Sequence, residues 1–375
     1  MFFLLNYTKL RIVLDWFSDL DDSTSGFAAT LTRWYEHHKR DLPWRHTRDP
    51  YSIWLSEVIL QQTRVAQGRP YYERFLAAYP TVQSMAGADE RDLLRLWQGL
   101  GYYSRARNMH KTAQYVAEQR DGRFPETYAG LLKLPGIGPY TAAAIASFAF
   151  KEKVAVVDGN VYRVLARIFG IDEDITTTGA RKTFSELANR LIQASDNPAT
   201  YNQAIMEFGA IQCTPVSPDC LICPFQQRCR AFLTGRQRML PVKSKKTAVR
   251  ERFFNYIVIR QGDRIALKER TGKDIWQHLY DFCLIETEEP MEAFRELPEG
   301  KVLNWVLQEG ILRGLSDERT HILSHQKIRA RFWLVEVPED RKVELPDGLT
   351  FCKPSDTERL PKPILIADYL KSLPF

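Results

Sequence analysis

Four cysteines lie close together in the chain, in the pattern Cys213-x6-Cys220-x2-Cys223-x5-Cys229. Thiolates gathered within one short loop are metal ligands more often than disulfide partners, and soft sulfur ligands favour iron–sulfur clusters or zinc over hard cations. A structural zinc site usually pairs two short cysteine knuckles, whereas this loop has one knuckle with longer arms. The spacing therefore predicts a [4Fe-4S] cluster in the loop 213–229, in a structural role, and leaves zinc and disulfides as alternatives.

A glutamate in a strongly apolar segment is the first candidate for acid–base chemistry. Glu57 lies in a predicted helix that Asp49 and Pro50 open, and its neighbours in that helix include Trp54, Val58 and Leu60. Burial among apolar side chains raises the pKa of a carboxyl group and keeps it protonated. Glu57 is therefore a candidate general acid, with a surface glutamate on an amphipathic helix as the alternative.

A second acid, Asp158, precedes a predicted helix whose apolar stripe is Val161, Val164, Leu165 and Ile168. This position predicts an N-cap, where the helix dipole keeps a carboxylate ionised. An ionised carboxylate can stabilise a developing cation, and a purely structural cap is the alternative.

A glycine turn lies at the start of an alanine-rich segment, residues 134–146. Gly136 and Gly138 permit close approach of another backbone, and amides exposed at a helix N-terminus bind phosphate without a basic side chain. The turn resembles a helix-hairpin-helix DNA-binding motif, and a tight corner between two helices is the alternative.

The bulk composition is that of an ordinary globular protein of two or three domains, with 375 residues and 44% hydrophobic residues. The formal charge of +6 permits a polyanionic partner without requiring one. Basic residues near the cysteine loop can lie against phosphates or form a solvated surface. They are Arg228, Arg230, Arg236, Arg238, Lys243, Lys245 and Lys246.

The chain divides into a helical part and a mixed part. Residues 1–26 form an apolar leader that is interrupted by charges, and we interpret it as an appended helix or as sequence before a later start. Apolar residues recur at helical spacing over 27–209, a basic linker follows at 237–249, and strand-like segments with at least one helix fill 250–375. The sequence predicts a mainly α fold with a C-terminal α+β domain and no membrane segment, in a cytoplasmic, monomeric protein.

Over residues 27–240 the cysteine spacing, the glycine turn and Asp158 together resemble the helix-hairpin-helix base-excision glycosylases, the endonuclease III superfamily. Segments 42–45, 56–63 and 99–108 look like its adenine-specific branch, the MutY family. The resemblance implies a glycosylase domain over 27–236 with two all-α subdomains, a cluster loop and nucleoid double-stranded DNA as partner. It also implies removal of adenine mispaired with 8-oxoguanine or guanine.

The resemblance assigns roles to the acids. Glu57 would protonate adenine at N7, and Asp158 would face the sugar as it becomes oxocarbenium-like. The lyase branch has a nucleophilic lysine at the position of Tyr140, and tyrosine cannot form an imine, so the enzyme is expected to be monofunctional. Asn160 would support the site together with Tyr140.

Further residues are implied as DNA contacts. Gln62 and Tyr102 would act as wedges in the base stack, although an aromatic in this context is by default read as core. Leu60, Gly136 and Gly138 would also contact DNA. Arg45 and Glu207 would hold the flipped base, with a helix-surface position as the alternative.

Residues 250–375 resemble the Nudix-related domain that this family uses to read 8-oxoguanine. The segment has no REx2EEx run for magnesium, so it is expected to bind without hydrolysing pyrophosphate. Ser324 and His325 match the family's Phe-Ser-His recognition loop, in which Leu323 replaces the phenylalanine, and a plain strand hairpin is the alternative. Two rival functions remain, a glycosylase-lyase acting on oxidised pyrimidines and a catalytically silent damage sensor.

Overall fold

The computed structural model describes residues 21–244, 249–346 and 348–373. Residues 1–20 of the predicted leader 1–26 and the linker residues Lys245 and Lys246 lie outside the described residues, whereas 21–26 belong to the first helix. Across 21–244 the described chain contains helices and turns but no strand, and strands begin at Arg250. This order confirms the predicted mainly α fold with a C-terminal α+β part. Within the described chain, no helix combines the length and apolarity needed to cross a bilayer.

The α-helices are numbered in chain order. They are α1 (Asp21–His38), α2 (Pro50–Leu60), α3 (Val65–Ala78), α4 (Val82–Ala86), α5 (Glu90–Leu96), α6 (Ser104–Gln119), α7 (Tyr128–Leu131), α8 (Pro139–Phe150), α9 (Gly159–Phe169), α10 (Thr178–Gln193), α11 (Pro198–Glu207), α12 (Arg230–Leu233), α13 (Lys301–Glu309), α14 (Pro354–Thr357) and α15 (Ile364–Ser372). Single 3-10 turns lie at Pro43–Arg45, Gln226–Arg228 and Phe294–Glu296, and a π-helical turn at Phe208–Gln212 extends α11.

The strands are also numbered in chain order. They are β1 (Arg250–Gln261), β2 (Arg264–Glu269), β3 (Tyr280–Asp281), β4 (Cys283–Thr287), β5 (Ile311–Leu315), β6 (Arg319–Ile322), β7 (Gln326–Glu336) and β8 (Thr350–Cys352).

The chain forms two compact units. Of the described residues, the first contains 21–62 and 115–244, and the second contains 63–114, 249–346 and 348–373. Each unit therefore draws on two separate stretches of sequence.

The core of the first unit lies between α1, α9, α10 and α11, where large apolar side chains are fully or almost fully buried. Burial of such side chains is the main stabilising contribution to a fold of this kind. The cysteine loop joins this core through Phe225 and Cys229. The loop that carries the predicted metal ligands is thus packed onto the helices that carry Asp158 and Glu207.

Local sequence explains where the helices of the site begin. Asp49 caps α2 by accepting hydrogen bonds from the amides of Tyr51 and Ser52, and Pro50 occupies the first turn, where its missing N–H costs nothing. Asp158 caps α9 in the same way, and Gly170 ends α9 in the left-handed conformation with φ 71°. Both predicted helix starts are confirmed.

Among its described residues, the second unit contains an eight-stranded sheet with the order β3-β2-β1-β7-β5, to which β4, β6 and β8 add by pairing with β1, β7 and β2. The central strands β1 and β7 run parallel, and the other pairs are antiparallel. Helix α13 packs its apolar face, including Leu303 and Val306, against Trp333 and Val335 of β7. The turn at 323–325 connects β6 to β7 in an antiparallel hairpin, and the predicted role of Ser324 and His325 as readers stays a prediction.

Candidate active site

Glu57 and Tyr140 meet between α2 and α8. The Tyr140 hydroxyl donates a hydrogen bond to Glu57 Oε2 at 2.6 Å, and Glu57 is only 6% exposed. Burial raises the pKa of Glu57 to about 7, while the Tyr140 hydrogen bond acts in the opposite direction. The expectation that burial would raise this pKa is confirmed, and the surface position is excluded. Glu57 can therefore be a proton donor near neutral pH.

Asp158 is fixed through both carboxylate oxygens at the start of α9. Oδ1 accepts from the Val161 amide at 2.8 Å, and Oδ2 accepts from Asn160 Nδ2 at 2.8 Å. Burial raises the pKa of Asp158, and the hydrogen bonds from Val161 and Asn160 oppose that shift. The cap is confirmed, but the net pKa shift is upward, because the helix N-terminus compensates only part of the desolvation.

Two residues that the sequence did not reveal hold Asn160 in place: Arg163 by a hydrogen bond and Gly209 by close packing. Arg163 donates to Asn160 Oδ1 at 2.8 Å, to the Gly209 carbonyl at 2.6 Å and to the Cys213 carbonyl at 2.8 Å. A β-carbon at Gly209 would lie 2.6 Å from Asn160 Cβ. The only signal in the sequence is that Arg163 follows Asn160 by three residues, the spacing of neighbours on one helix face.

Arg45 lines a small cavity of the first unit together with Glu57. The other lining residues are Trp44, Ile53, Ser56, Phe148, Gln203 and Met206. The cavity has a volume of about 40 Å³, enough for a water but too small for a base, so it would have to widen before the arginine and the carboxyl could bind a flat polar ring.

Glu207 supports Arg45 from the end of α11. Glu207 is 1% exposed and forms ion pairs with Arg40 at 2.6 Å and with Arg45 at 2.8 Å, so the helix-surface alternative is wrong. Burial would raise the pKa of Glu207, but the hydrogen bonds from Arg40 and Arg45 outweigh it and lower the pKa to about 2. The sequence did not predict the ion pair between Arg40 and Glu207, because no local spacing links these two residues.

The glycine turn has the expected form. Gly136 has φ 77°, which favours glycine, and Gly138 is the N-cap of α8 with Pro139 in the first turn. A β-carbon at Gly138 would meet nothing within 4 Å. The amide end of α8 is therefore open to another molecule, and its contact with a phosphate stays a prediction.

The two candidate wedges share an uncommon backbone conformation. Gln62 has φ 56° and Tyr102 has φ 48°, both in the left-handed region that non-glycine residues seldom adopt. The Tyr102 ring is 41% exposed, so its default reading as a core aromatic is wrong. Gln62 is exposed, and Leu60, the last residue of α2, is partly buried.

Ser324 lies beside Tyr102 in the second unit. Their hydroxyl oxygens are 2.5 Å apart, and both residues line a cavity of about 730 Å³. Three segments form most of its wall: Gly99–Ser104, Lys273–Trp276 and His321–Gln326. His325 is exposed on the same turn. The structure thus joins a predicted wedge and a predicted reader residue in one cavity, a link that the sequence did not show.

The four cysteines line one pocket, with Arg167, Phe208 and Phe232 in its wall. Among the described residues none of the four is in a disulfide. Arg167 Nη1 donates to Cys213 Sγ at 3.4 Å, and its guanidinium also binds the Thr214 and Pro215 carbonyls. Within the described chain no three His, Cys, Asp or Glu side chains form a ready single-ion site. Four thiols around one partly apolar pocket, with a cation at one sulfur, fit a sulfur-ligated cluster.

Several of the basic residues near this loop face solvent. Arg228, Arg238 and Lys243 are exposed, whereas Arg236 pairs with Asp172 at 3.8 Å. Exposed cations of this kind are available for phosphates, and their role stays a prediction.

Two parts of the chain match known families. Residues 55–190 match the HhH-GPD superfamily base excision DNA repair protein, and residues 255–372 match the NUDIX domain. The chain is 36% identical over 262 residues to the adenine DNA glycosylase of Buchnera aphidicola subsp. Schizaphis graminum (strain Sg), and the match covers 70% of this chain and 75% of that protein. This chain belongs to the adenine DNA glycosylase family.

Further comparisons agree with membership of the adenine DNA glycosylase family. The adenine DNA glycosylase of Mus musculus is 45% identical over 225 residues, which cover 58% of this chain and 43% of the mouse protein. A solved thermostable thymine-DNA glycosylase is similar with a TM-score of 0.53 and 30% identity, over 57% of this chain and 99% of that one. The chain is accordingly an enzyme, a DNA N-glycosylase with a helix-hairpin-helix fold and a C-terminal Nudix-like domain.

Proposed function

We propose that this protein removes adenine mispaired with 8-oxoguanine or guanine from double-stranded DNA and leaves an abasic site. The observation that carries the proposal is Glu57, a buried acid with a pKa of about 7 that lines a cavity with Arg45. Asp158 lies in the same compact unit. An acid poised near neutrality and a second carboxylate are the two groups that glycosidic bond cleavage requires.

The chemistry separates into two charge-stabilising steps. Glu57 donates its proton to N7 of the flipped adenine, the bond between C1′ and N9 breaks, and its electron pair leaves with the base. Asp158 stabilises the positive charge that develops on the sugar, and water then completes the hydrolysis. Tyr140 hydrogen-bonds Glu57, and Asn160 and the Val161 amide hold Asp158, so each carboxyl group is oriented by hydrogen bonds.

Tyr140 also supports a monofunctional enzyme. A lyase step needs an amine that forms an imine with C1′ of the sugar, and the phenol of Tyr140 cannot supply it. The side chain instead donates a hydrogen bond to Glu57.

Access to the adenine requires that it leaves the helix, at a cost of roughly a few kcal/mol. Gln62, Leu60 and Tyr102 would fill the space that the base vacates, while amides at Gly136 and Gly138 would bind a backbone phosphate. Arg45 would contact the flipped base, with Glu207 fixing Arg45.

We further propose that Ser324 and His325 read the oxidised guanine opposite the adenine. Ser324 lies in a cavity large enough for a nucleoside, at the turn between β6 and β7. The predicted domain limits, 27–236 for the glycosylase and 250–375 for the reader, belong to the same proposal.

The mispair specificity can be tested by single-turnover base removal. The duplexes carry adenine opposite 8-oxoguanine, guanine or thymine, and abasic sites are revealed with alkali. We expect cleavage of the first two and none of the third. A protein that binds these duplexes without cleaving them is a damage sensor, and cleavage without alkali with an adduct trapped by borohydride identifies a lyase.

Cys213, Cys220, Cys223 and Cys229 would hold a [4Fe-4S] cluster, whose contribution when bound is to fix the loop on the core of the first unit. We expect about four irons and four acid-labile sulfides per chain from protein purified without oxygen. Stoichiometric zinc without sulfide would reject the cluster. Cys223→Ser should reduce the iron content, whereas Cys352→Ser, outside the loop, should leave it unchanged.

A further inference from the structure

The residues around Tyr102 form a loop with little stiffness of its own. We call residues 98–103 the wedge loop. Gly99 has φ 100° and Gly101 has φ 71°, so two of its six residues have backbone angles that favour glycine and carry no side chain that could brace them. The Tyr102 side chain has its own contacts with the Ser324 hydroxyl and the Arg105 guanidinium, but the position of its backbone also depends on contacts made by the rest of the loop.

Part of these contacts come from the helices of the second unit. Trp97 Nε1 donates to the Gly101 carbonyl at 2.9 Å, and the Tyr71 hydroxyl donates to the Gln98 carbonyl at 2.7 Å. These bonds hold the middle and the start of the loop but do not reach its end at Tyr103.

Both ends of the wedge loop are bound by one residue near the C-terminus. The Lys362 amide donates to Gln98 Oε1 at 3.2 Å, and the Lys362 carbonyl accepts from the Tyr103 hydroxyl at 3.3 Å. Tyr103 is 4% exposed, and its hydroxyl also interacts with the Gly99 backbone inside the loop, so this hydroxyl links Lys362 to both the start and the end of the loop.

Burial and hydrogen bonds restrain Lys362 itself. Its side chain is 5% exposed, and its ammonium donates to the carbonyls of Thr357 and Leu360. The preceding Pro361 accepts from the Tyr280 amide at 2.8 Å, which ties the segment to β3. A buried lysine whose ammonium donates to two backbone carbonyls restrains the backbone around it.

We propose that Lys362 anchors the wedge loop and that Tyr103 and Gln98 are positioning residues for Tyr102. This inference rests on the proposed function, in which Tyr102 enters the base stack. It gives the C-terminal segment a second role besides reading the opposite base. That role applies to every mispair, because a wedge is needed whether or not the opposite guanine is oxidised.

The test is Tyr103→Phe, which removes one hydroxyl and keeps the buried ring. We expect single-turnover base removal to slow roughly three- to tenfold, the effect of one hydrogen bond, and by a similar factor opposite 8-oxoguanine and opposite guanine. A 2-aminopurine next to the opposite base reports unstacking, and its fluorescence gain on binding should fall. Tyr280→Phe is the matched control, since its hydroxyl binds Glu269 away from the loop.

A double substitution separates positioning from general stability. In a Tyr102→Ala background, Tyr103→Phe should cause no further loss of rate, because the side chain that it positions is gone. An equal loss in both backgrounds, or an effect no larger than that of Tyr280→Phe, overturns the anchor. If wild-type protein removes no adenine from either mispair, the proposed function fails instead.

Discussion

Replacement of Glu57 by glutamine should reduce the rate of base removal by roughly 10²- to 10⁴-fold while DNA binding is retained. Glutamine has nearly the same shape and can still accept the hydrogen bond from Tyr140, but it has no acidic proton to give to N7. The measurement is the single-turnover rate on a duplex with adenine opposite 8-oxoguanine, beside the dissociation constant for the same duplex. A variant within tenfold of wild type would exclude Glu57 as the general acid.

The pH dependence of the same reaction provides an independent control. Glu57 acts in its protonated form and has a pKa of about 7, so the wild-type rate should fall as pH rises above that value. The residual rate of Glu57→Gln should not fall in this way as pH rises. At acidic pH the rate should fall when Asp158 becomes protonated. Because the pKa of Asp158 is raised, this fall should begin at a higher pH than for an ordinary aspartate.

Folding stability shows whether the substitution acts through chemistry alone. The folded-state pKa of Glu57 exceeds the ordinary value of 4.5, so ionisation disfavours the folded state as pH rises from 4.5 through about 7. The full cost above pH 7 is roughly 3 kcal/mol. Glu57→Gln should therefore match or exceed the stability of wild type at pH 8, measured by urea unfolding.

Asp158→Asn should be the second most damaging change, with a loss of roughly 10²- to 10³-fold in rate. Asparagine is as good an N-cap as aspartate, so α9 should still begin at the same place. What disappears is the negative charge that faces the developing cation. One hydrogen bond is also lost, because the new amide meets the Asn160 amide.

Asp49→Asn offers a matched control for this prediction. Asp49 caps α2 through the amides of Tyr51 and Ser52, and the same chemical change there leaves the charge at the active site untouched. We expect a small change in melting temperature for both variants and a loss of rate only for Asp158→Asn. If both variants lose activity equally, Asp158 acts as a helix cap and not in catalysis.

Local sequence predicted those features that depend on neighbours in the chain. Asp49 and Asp158 were identified as caps, and Glu57 as a buried acid, because cap residues and apolar neighbours lie within one helical turn of the position that they determine. The turn at Gly136 and Gly138 was predictable for the same reason.

Other parts of the site depend on contacts that sequence spacing does not encode. Arg40 lies 167 positions from Glu207, and Tyr102 lies 222 positions from Ser324. Arg163 and Arg167 bind backbone carbonyls at the start of the cysteine loop. Because every residue has a backbone carbonyl, the sequence does not show which carbonyls accept these hydrogen bonds. Nor did any local signal show that Lys362 would bind both ends of the wedge loop.

The left-handed backbone of Gln62 and of Tyr102 has a kinetic consequence. Each such conformation costs on the order of 1–3 kcal/mol, and this cost is met once, when the chain folds. A protein that searches a genome for damage meets roughly 10⁶–10⁹ undamaged positions for each target. Gln62 and Tyr102 are both exposed, and a backbone that already has this conformation does not have to adopt it again at each position. We therefore expect sliding along the duplex to limit the rate of the search, and not a backbone rearrangement of Gln62 or Tyr102.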